Sequence, residues 1–437
     1  MEFAHITPEF MDAVVSGDLA GDVFAVSLWK HLQEVCPECS EGFQSWLDRG
    51  RRDYGESFGK AAERLSARAG EPLEKERTAA RREFTELLRV PIEEREKKIR
   101  NATKRFRSPL LVNLLIEHSN SFLLDNREEA LHFARLALAV AERSTSPVAA
   151  DRLIIASARV GNALRAGGNL REAERFLGEA RLVLRRSMIV DSLVHAELDS
   201  LEASLRKDQR RFDDARKLLA RAVVSYRLSK QRREVARNLL KLSTVEFYDG
   251  QVGRAIEILY EALRAVTPAE EPRLHLWMRH NLALYLLEAE DVAGAKKVLT
   301  ETERSYEEHR DRTILLRRDW LQGRIARAEK NFKEAERIFR ETARGFEALG
   351  IGYDTALVLL DLAELYYASG ARKSLRRLAE ALPKILNAED LHREAVAALL
   401  LVQSAILEEI VTATLLRRVR LYLDEARNNP SLKFDDL

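Results

Sequence analysis

The residues of this chain best suited to chemistry lie close together near its start. His31, Cys36 and Cys39 form the stretch HLQEVCPECS, and a second histidine, His5, stands well upstream of it. A Cys-x2-Cys pair sets two soft sulfur ligands on one turn, and two imidazoles would complete a closed tetrahedral zinc site of the structural kind. A module of about 50 residues buries little apolar surface, so a bound metal or docking on neighbouring helices would have to supply its order. Two other readings compete. The module could keep its helices and bind no metal. Cys36-Pro37-Glu38-Cys39 also has the spacing of disulfide oxidoreductases, but the βαβ pattern that should accompany it is missing. Catalytic zinc has little support, because Glu34, Glu38 and Glu41 are more simply helix-surface charges than a general base.

Other chemistry is not written in the sequence. There is no Walker loop, Rossmann glycine fingerprint, GxSxG or HExxH. His132, His195, His275, His280, His309 and His392 are scattered singly through helical stretches, where structural placement is the default. No enzymatic activity is expected. Lys+Arg 72 against Asp+Glu 70 leaves a formal charge of +2, too small to drive the chain to nucleic acid or anionic lipid. No apolar run is long enough to offer a membrane span, and the start MEFAHITPEF lacks a basic, apolar leader. Two cysteines in one CxxC do not make a disulfide framework. The expectation is a soluble, cytoplasmic protein with no membrane partner and no direct nucleic-acid partner.

The elements that would position any site are helices in a repeat. The stretch ARVGNALRAGGNLREAERFLGEARLVL has small residues at Gly161 and Ala173 on either side of a turn at Gly167-Gly168-Asn169. Two antiparallel helices cross closely only where a side chain is missing, so these two positions predict one helical hairpin. The pattern then recurs. Anchors equivalent to Ala173 fall at Ala215, Ala255, Ala295, Ala335 and Leu375, a period of about 40 residues. Twelve positions before the later anchors stand Ala203, Ser243, Ala283, Gly323 and Ala363. Four after come Leu177, Leu219, Leu259, Leu299 and Phe339, and seven after come Ala180, Ala222, Ala262, Thr302 and Thr342. A weaker copy has its anchor at Ala130, with His118 in the small position.

These positions resemble the tetratricopeptide repeat. The interval departs from that family's usual, shorter one, and resembles the long-repeat arrays of bacterial transcription activators and peptide-sensing signalling proteins. The resemblance implies an all-α fold: an α-solenoid of antiparallel helical hairpins, a tetratricopeptide-like superhelix. The His/Cys stretch resembles the zinc-binding anti-sigma factor domain, a small helical zinc-finger-like module, although His31 and Cys36 are one residue further apart than that pattern has. This resemblance implies His5, His31, Cys36 and Cys39 as metal ligands and a sigma factor as a partner. The domain reading is therefore a zinc-finger-like module over 1–50, a charged helical connector over 51–107, the superhelix over 108–430 and a flexible tail over 431–437. Arg77 to Arg107 holds eleven Arg or Lys and five Glu, most simply a solvated connector and alternatively a contact for an acidic partner or nucleic acid. Glu389 to Arg427 is helical but fits the repeat poorly, as expected of a terminal unit that faces water.

In tetratricopeptide arrays the first helix of each hairpin lines the concave, partner-binding face. Positions 18, 15, 11 and 8 before each anchor share one side of that helix. They and their neighbours supply Asn162 and Arg165, then Arg237 and Lys241, then Trp277 and His280, then Arg317, Trp320, Arg324 and Arg327. Arginine beside tryptophan suits a carboxylate-bearing protein or peptide with an apolar anchor; the plain alternative is that the tryptophans pack and the arginines solvate. The functional expectation is a bacterial-type regulatory interaction scaffold, acting on a sigma factor or another transcription or signalling partner. The alternative is a solenoid that senses a ligand or peptide, with the N-terminal module only structural.

Overall fold

The computed structural model describes residues 75–123, 126–145, 149–187, 191–309, 311–382, 391–427, 429 and 432–434. His5, His31, Cys36 and Cys39, and with them the zinc module, lie outside the described residues. Helix α1 covers 75–88. It is followed by α2 (Ile92–Asn101), α3 (Pro109–Phe122), α4 (Arg127–Ala141), α5 (Ala149–Ala166), α6 (Leu170–Arg186), α7 (Ser192–Asp208), α8 (Phe212–Leu228) and α9 (Arg232–Tyr248). Then come α10 (Val252–Ala265), α11 (Pro272–Glu288), α12 (Val292–His309), α13 (Arg312–Ala328), α14 (Phe332–Ala348), α15 (Gly352–Ala368), α16 (Arg372–Ala381), α17 (Arg393–Leu407) and α18 (Ala413–Ala426). The described residues contain no strand. The fold is the α-solenoid of antiparallel hairpins that the repeat spacing predicts.

The period is visible in the backbone of the turns. Arg210, Gly250, Glu290, Lys330 and Gly370, spaced by the repeat, all have positive φ of 61 to 78°. At each, the next residue's amide reaches back five positions: Arg211 to Arg206, Gln251 to Glu246, Asp291 to Leu286, Asn331 to Ala326 and Ala371 to Tyr366. This closes the first helix with a left-handed cap and satisfies carbonyls the helix itself leaves unpaired. Such a cap reverses the chain over a very short stretch, which is why the helices of a hairpin lie side by side.

Side-chain volume sets how closely they lie. Ala173, Ala215, Ala255, Ala295 and Ala335 are all fully buried. A Cβ on Gly161 would stand 2.9 Å from the Leu177 side chain and 3.1 Å from the Ala173 carbonyl, and one on Gly323 would stand 2.7 Å from the Phe339 ring. The two small residues of each hairpin are thus the crossing point, and the bulky residue four after the anchor fills the space they leave. The bulky position three before the anchor behaves differently. Leu170 is buried, but Phe332 is exposed, so this position shields an edge more than it builds the core.

The described residues form two compact units. The first holds 75–167, 171–205 and 220–231, and the second holds 168–170, 206–219 and 232–434. In the first, α3 and α4 pack as a hairpin, and His118 lies among the rings of Phe84, Phe122 and Phe133. Its basic segment is partly neutralised, with Lys98 and Arg105 on Glu86 and Arg100 on Glu96 and Glu142. In the second, helices α9 to α17 each pack on the next in order, and α18 packs on both α17 and α15.

Candidate partner-binding face

The stripe residues that the sequence singles out fall in both units. In the first, Asn162 is buried on α5 and accepts a bond from Arg165 Nε at 3.1 Å. In the second, Arg237 and Lys241 lie on α9, Trp277 and His280 on α11, and Arg317, Trp320, Arg324 and Arg327 on α13. These eight do not share one environment.

The α13 residues are held from within. Arg317 bonds Asp354 at 3.0 Å, and Trp320 Nε1 donates to Asp361 at 2.7 Å. Arg324 meets Glu288 at 2.5 Å and Asp361 at 3.7 Å, while Arg327 meets Asp361 at 3.0 Å and Glu364 at 2.9 Å. Burial alone would raise the Asp361 carboxyl, but Arg327, Arg324 and Arg420 together hold it below the usual carboxylate range. Asp354 behaves the same way, with Arg427 and Arg317 outweighing its burial. Glu364 goes upward instead, because burial and the neighbouring Asp361 charge exceed what Arg327 and Arg420 offset. This block is a buried, matched charge network, and Arg324 at 8% exposure is part of its interior. The α13 residues therefore do not form an open cationic row.

The sequence contains a signal for this network. Arg317 with Asp354 and Arg327 with Glu364 are each 37 apart in the chain, and Arg159 with Glu197 in the first unit 38 apart. The repeat period is about 40 residues, so each acid stands roughly one helical turn earlier on the next first helix, within reach of a long guanidinium. Reading bases and acids separately conceals that pairing.

His280 is half-buried and tied to α12. Its Nδ1 lies 2.7 Å from the Tyr306 hydroxyl, and burial, with Arg317 nearby, pushes its pKa down to about 4. A neutral imidazole in that contact is a packing group. Trp277 is half-buried, with the Arg317 guanidinium 5.8 Å from its ring centre. Arg237 is exposed and pairs with Glu234, one turn away on the same helix, at 3.3 Å. Lys241 and Asn281 are half-buried on the same helical sides. The α9 and α11 part of the stripe thus offers one exposed cation, Arg237, beside a half-buried aromatic, Trp277, whereas the α13 part is tied to the acids of α15.

Helix α18 adds to those ties. Leu416, Val419, Tyr422, Leu423 and Ala426 are all completely buried. Arg427 bonds Asp354 at 2.9 Å, Tyr248 donates to Asp424 at 3.0 Å, and Arg210 pairs with Glu425. Beyond the helix, Asn429 donates to the Asp208 carbonyl at 3.0 Å, Tyr422 donates to the Leu432 carbonyl at 3.1 Å, and Phe434 packs against Tyr422. The expectation that the last unit turns its poorly fitting helices to water fails for α18. That helix lies on the first-helix face instead, because it carries an apolar seam that water would not accept.

Among the described residues no group of three or more His, Cys, Asp or Glu side chains could hold a metal ion, and no helix is long and apolar enough to cross a membrane.

No family model matches this sequence, and no curated protein sequence matches it. Solved structures do. The chain is similar to a Rap protein complexed with Competence and Sporulation Factor, at 14% identity and a TM-score of 0.55, over 73% of this chain and 89% of that one. It is also similar to aspartyl phosphate phosphatase F from Bacillus subtilis, at 12% identity and a TM-score of 0.50, over 85% of this chain and 96% of that one. At such identities the likeness shows the fold, a tetratricopeptide-like helical array.

Proposed function

We propose that this protein is a regulatory interaction scaffold whose first-helix face, at α9 and α11, receives a segment of a protein or peptide partner, and that it acts by binding rather than by catalysis. The observation that carries the reading is the division of the stripe. Arg237 is exposed with only a local ion pair to Glu234, and Trp277 and Lys241 beside it are half-buried, while the neighbouring α13 arginines are tied to Asp354, Asp361 and Glu364 on the next first helix. A cationic and aromatic edge against a rigid, neutralised block suits a short segment with a carboxylate and an apolar side chain. That a Rap protein of similar fold was solved with Competence and Sporulation Factor supports a bound factor as the kind of partner, and favours a sensing role among regulatory ones. In this reading the N-terminal stretch with His5, His31, Cys36 and Cys39 adds a structural zinc module that resembles an anti-sigma domain, with a sigma factor as the second partner and the cytoplasm as the compartment.

The test is a pull-down from the native host with the unmodified chain and with Arg237→Glu. Arg237 is exposed and its ion pair with Glu234 is local, so its reversal leaves the fold intact while placing a carboxylate against the partner's own. A desolvated pair lost in this way weakens binding by about 2 kcal/mol or more. Recovery of the same partners in the same amounts with both proteins would remove α9 and α11 from the proposal.

A further inference from the structure

The solenoid rule assigns each second helix to the outer layer, between its own first helix and the next. Helix α18 breaks that rule by packing on α15, a first helix of the preceding repeat. The consequence shows in α15, where every residue from Gly352 to Ala363 is buried, whereas α9, α11 and α13 keep half-buried positions on the corresponding side. Its sequence GYDTALVLLDLAELYYA is apolar nearly all round, the mark of a helix covered on every side.

The polar contacts of α18 follow the repeat. Asn429 binds the Asp208 carbonyl, Asp424 binds Tyr248, and Arg420 lies 3.9 Å from Glu288. Asp208, Tyr248 and Glu288 are the same repeat position, each one period from the next, at the ends of successive first helices. α18 meets this repeat position twice and the chain just beyond it, at Asn429, a third time, so this segment runs along a groove. Around α15, four carboxylates (Glu288, Asp354, Asp361 and Glu364) face the guanidiniums of Arg317, Arg324 and Arg327, and α18 with the residue after it supplies Arg420 and Arg427 to the same cluster.

We propose that the α15 face is a second interaction surface held shut by α18, and that the partner it fits is an amphipathic helix presenting arginines about two turns apart, which competes with α18 for the same seat. The proposal rests on the reading of the first-helix face as the contact face. Two features select this class of partner. Vacating α18 uncovers an apolar seam, so a competitor must bring its own buried face. It also leaves the carboxylates in excess, so an acidic or purely apolar helix is disfavoured. The hinge for release is Glu408–Thr412, between α17 and α18, where Glu409 sits in a left-handed turn and Ile410 is 65% exposed; the bond from Asn429 to the Asp208 carbonyl breaks with it.

The experiment uses the full chain and a fluorescein-labelled peptide with the sequence of residues 411–427. Binding is followed by anisotropy to the unmodified protein and to the variant Arg420→Ala/Arg427→Ala, with hydrogen exchange on both. In the variant, α18 amides should lose protection while α9 to α15 keep theirs, and the peptide should bind at least roughly tenfold more tightly, since affinity scales with the open fraction. A peptide with both arginines replaced by alanine should lose that gain. The proposal is overturned if α18 amides stay protected in the variant, if protection is lost throughout α9 to α15, or if α18 opens and the peptide binds no better. None of these outcomes depends on the host partner, so they leave the Arg237 test of the α9 and α11 face to stand or fall separately.

Discussion

Asp361→Ala should be among the most damaging single substitutions on α15. The carboxylate is completely buried and receives Trp320 Nε1 at 2.7 Å and Arg327 at 3.0 Å, with Arg324 at 3.7 Å. Removing it leaves Arg324, itself 8% exposed, with Glu288 as its remaining close acid, and leaves the Trp320 indole without its acceptor. Breaking a buried pair by deleting one member costs about 3–5 kcal/mol, and the uncompensated indole donor about 1–3. These overlap, so the expected loss is about 4 kcal/mol. Asp361→Asn keeps an acceptor for Trp320 and should cost less, about 2 kcal/mol. Because neighbouring repeats carry the stability of an array, the assay is hydrogen exchange resolved by helix, read on α13 to α15 with α9 as the internal control. The same carboxyl sets an acid limit. Its folded pKa lies below the usual value, so its contribution is complete above about pH 4 and is lost as pH falls through the depressed value. A change under about 1 kcal/mol for Asp361→Ala would refute the reasoning, since it would mean that the network is solvated and not interior.

Three further outcomes follow from other sites. His280 has a folded pKa near 4 against an ordinary 6.5, so it favours the native state above pH 6.5, and that contribution, at most about 3 kcal/mol and less for its residual exposure, is lost between 6.5 and 4; His280→Asn should flatten the stability profile of α11 and α12 in that window. Gly323→Val should destabilise the α13 and α14 hairpin by about 1–3 kcal/mol, because its Cβ would come within 2.7 Å of the Phe339 ring, and unchanged exchange in both helices would contradict the close crossing. Purified protein from zinc-supplemented medium should carry about one zinc per chain on His5, His31, Cys36 and Cys39; a ratio near zero, with both thiols reactive, would leave the N-terminal module without metal.

What the sequence discloses divides along a physical line. A close helix crossing demands a small side chain at a fixed place, so Gly161 with Ala173 and Gly323 with Ala335 mark the hairpins by residue type alone. The helix boundaries follow, since the left-handed caps at Gly250 and Gly370 recur with the same interval. The environment of the stripe is less legible. A guanidinium at one repeat position is a binding group or an internal tie depending on what stands a turn earlier on the next first helix, and Arg317, Arg324 and Arg327 each find a carboxylate there. The position of α18 depends on where the end of the array meets its own earlier repeats, which no local period encodes. Its seam of Leu416, Val419, Tyr422 and Leu423 nevertheless marks a helix that water would not accept on that side. Second helices carry such ties too: Arg216 on α8 bonds the buried Glu246 on the next first helix at 3.0 Å.

The central claim is that the stripe of α9 and α11 around the exposed Arg237 is the partner contact, and a paired titration tests it most directly. The partner returned by the native-host pull-down is titrated against the unmodified chain, Arg237→Glu and Arg304→Glu, the last a reversal on second helix α12 at a side chain 89% exposed. The account predicts that Arg237→Glu weakens binding by about 2 kcal/mol or more, that Arg304→Glu changes it by less than about 0.5, and that the difference narrows as salt rises. Equal affinity for Arg237→Glu and the unmodified chain would contradict it.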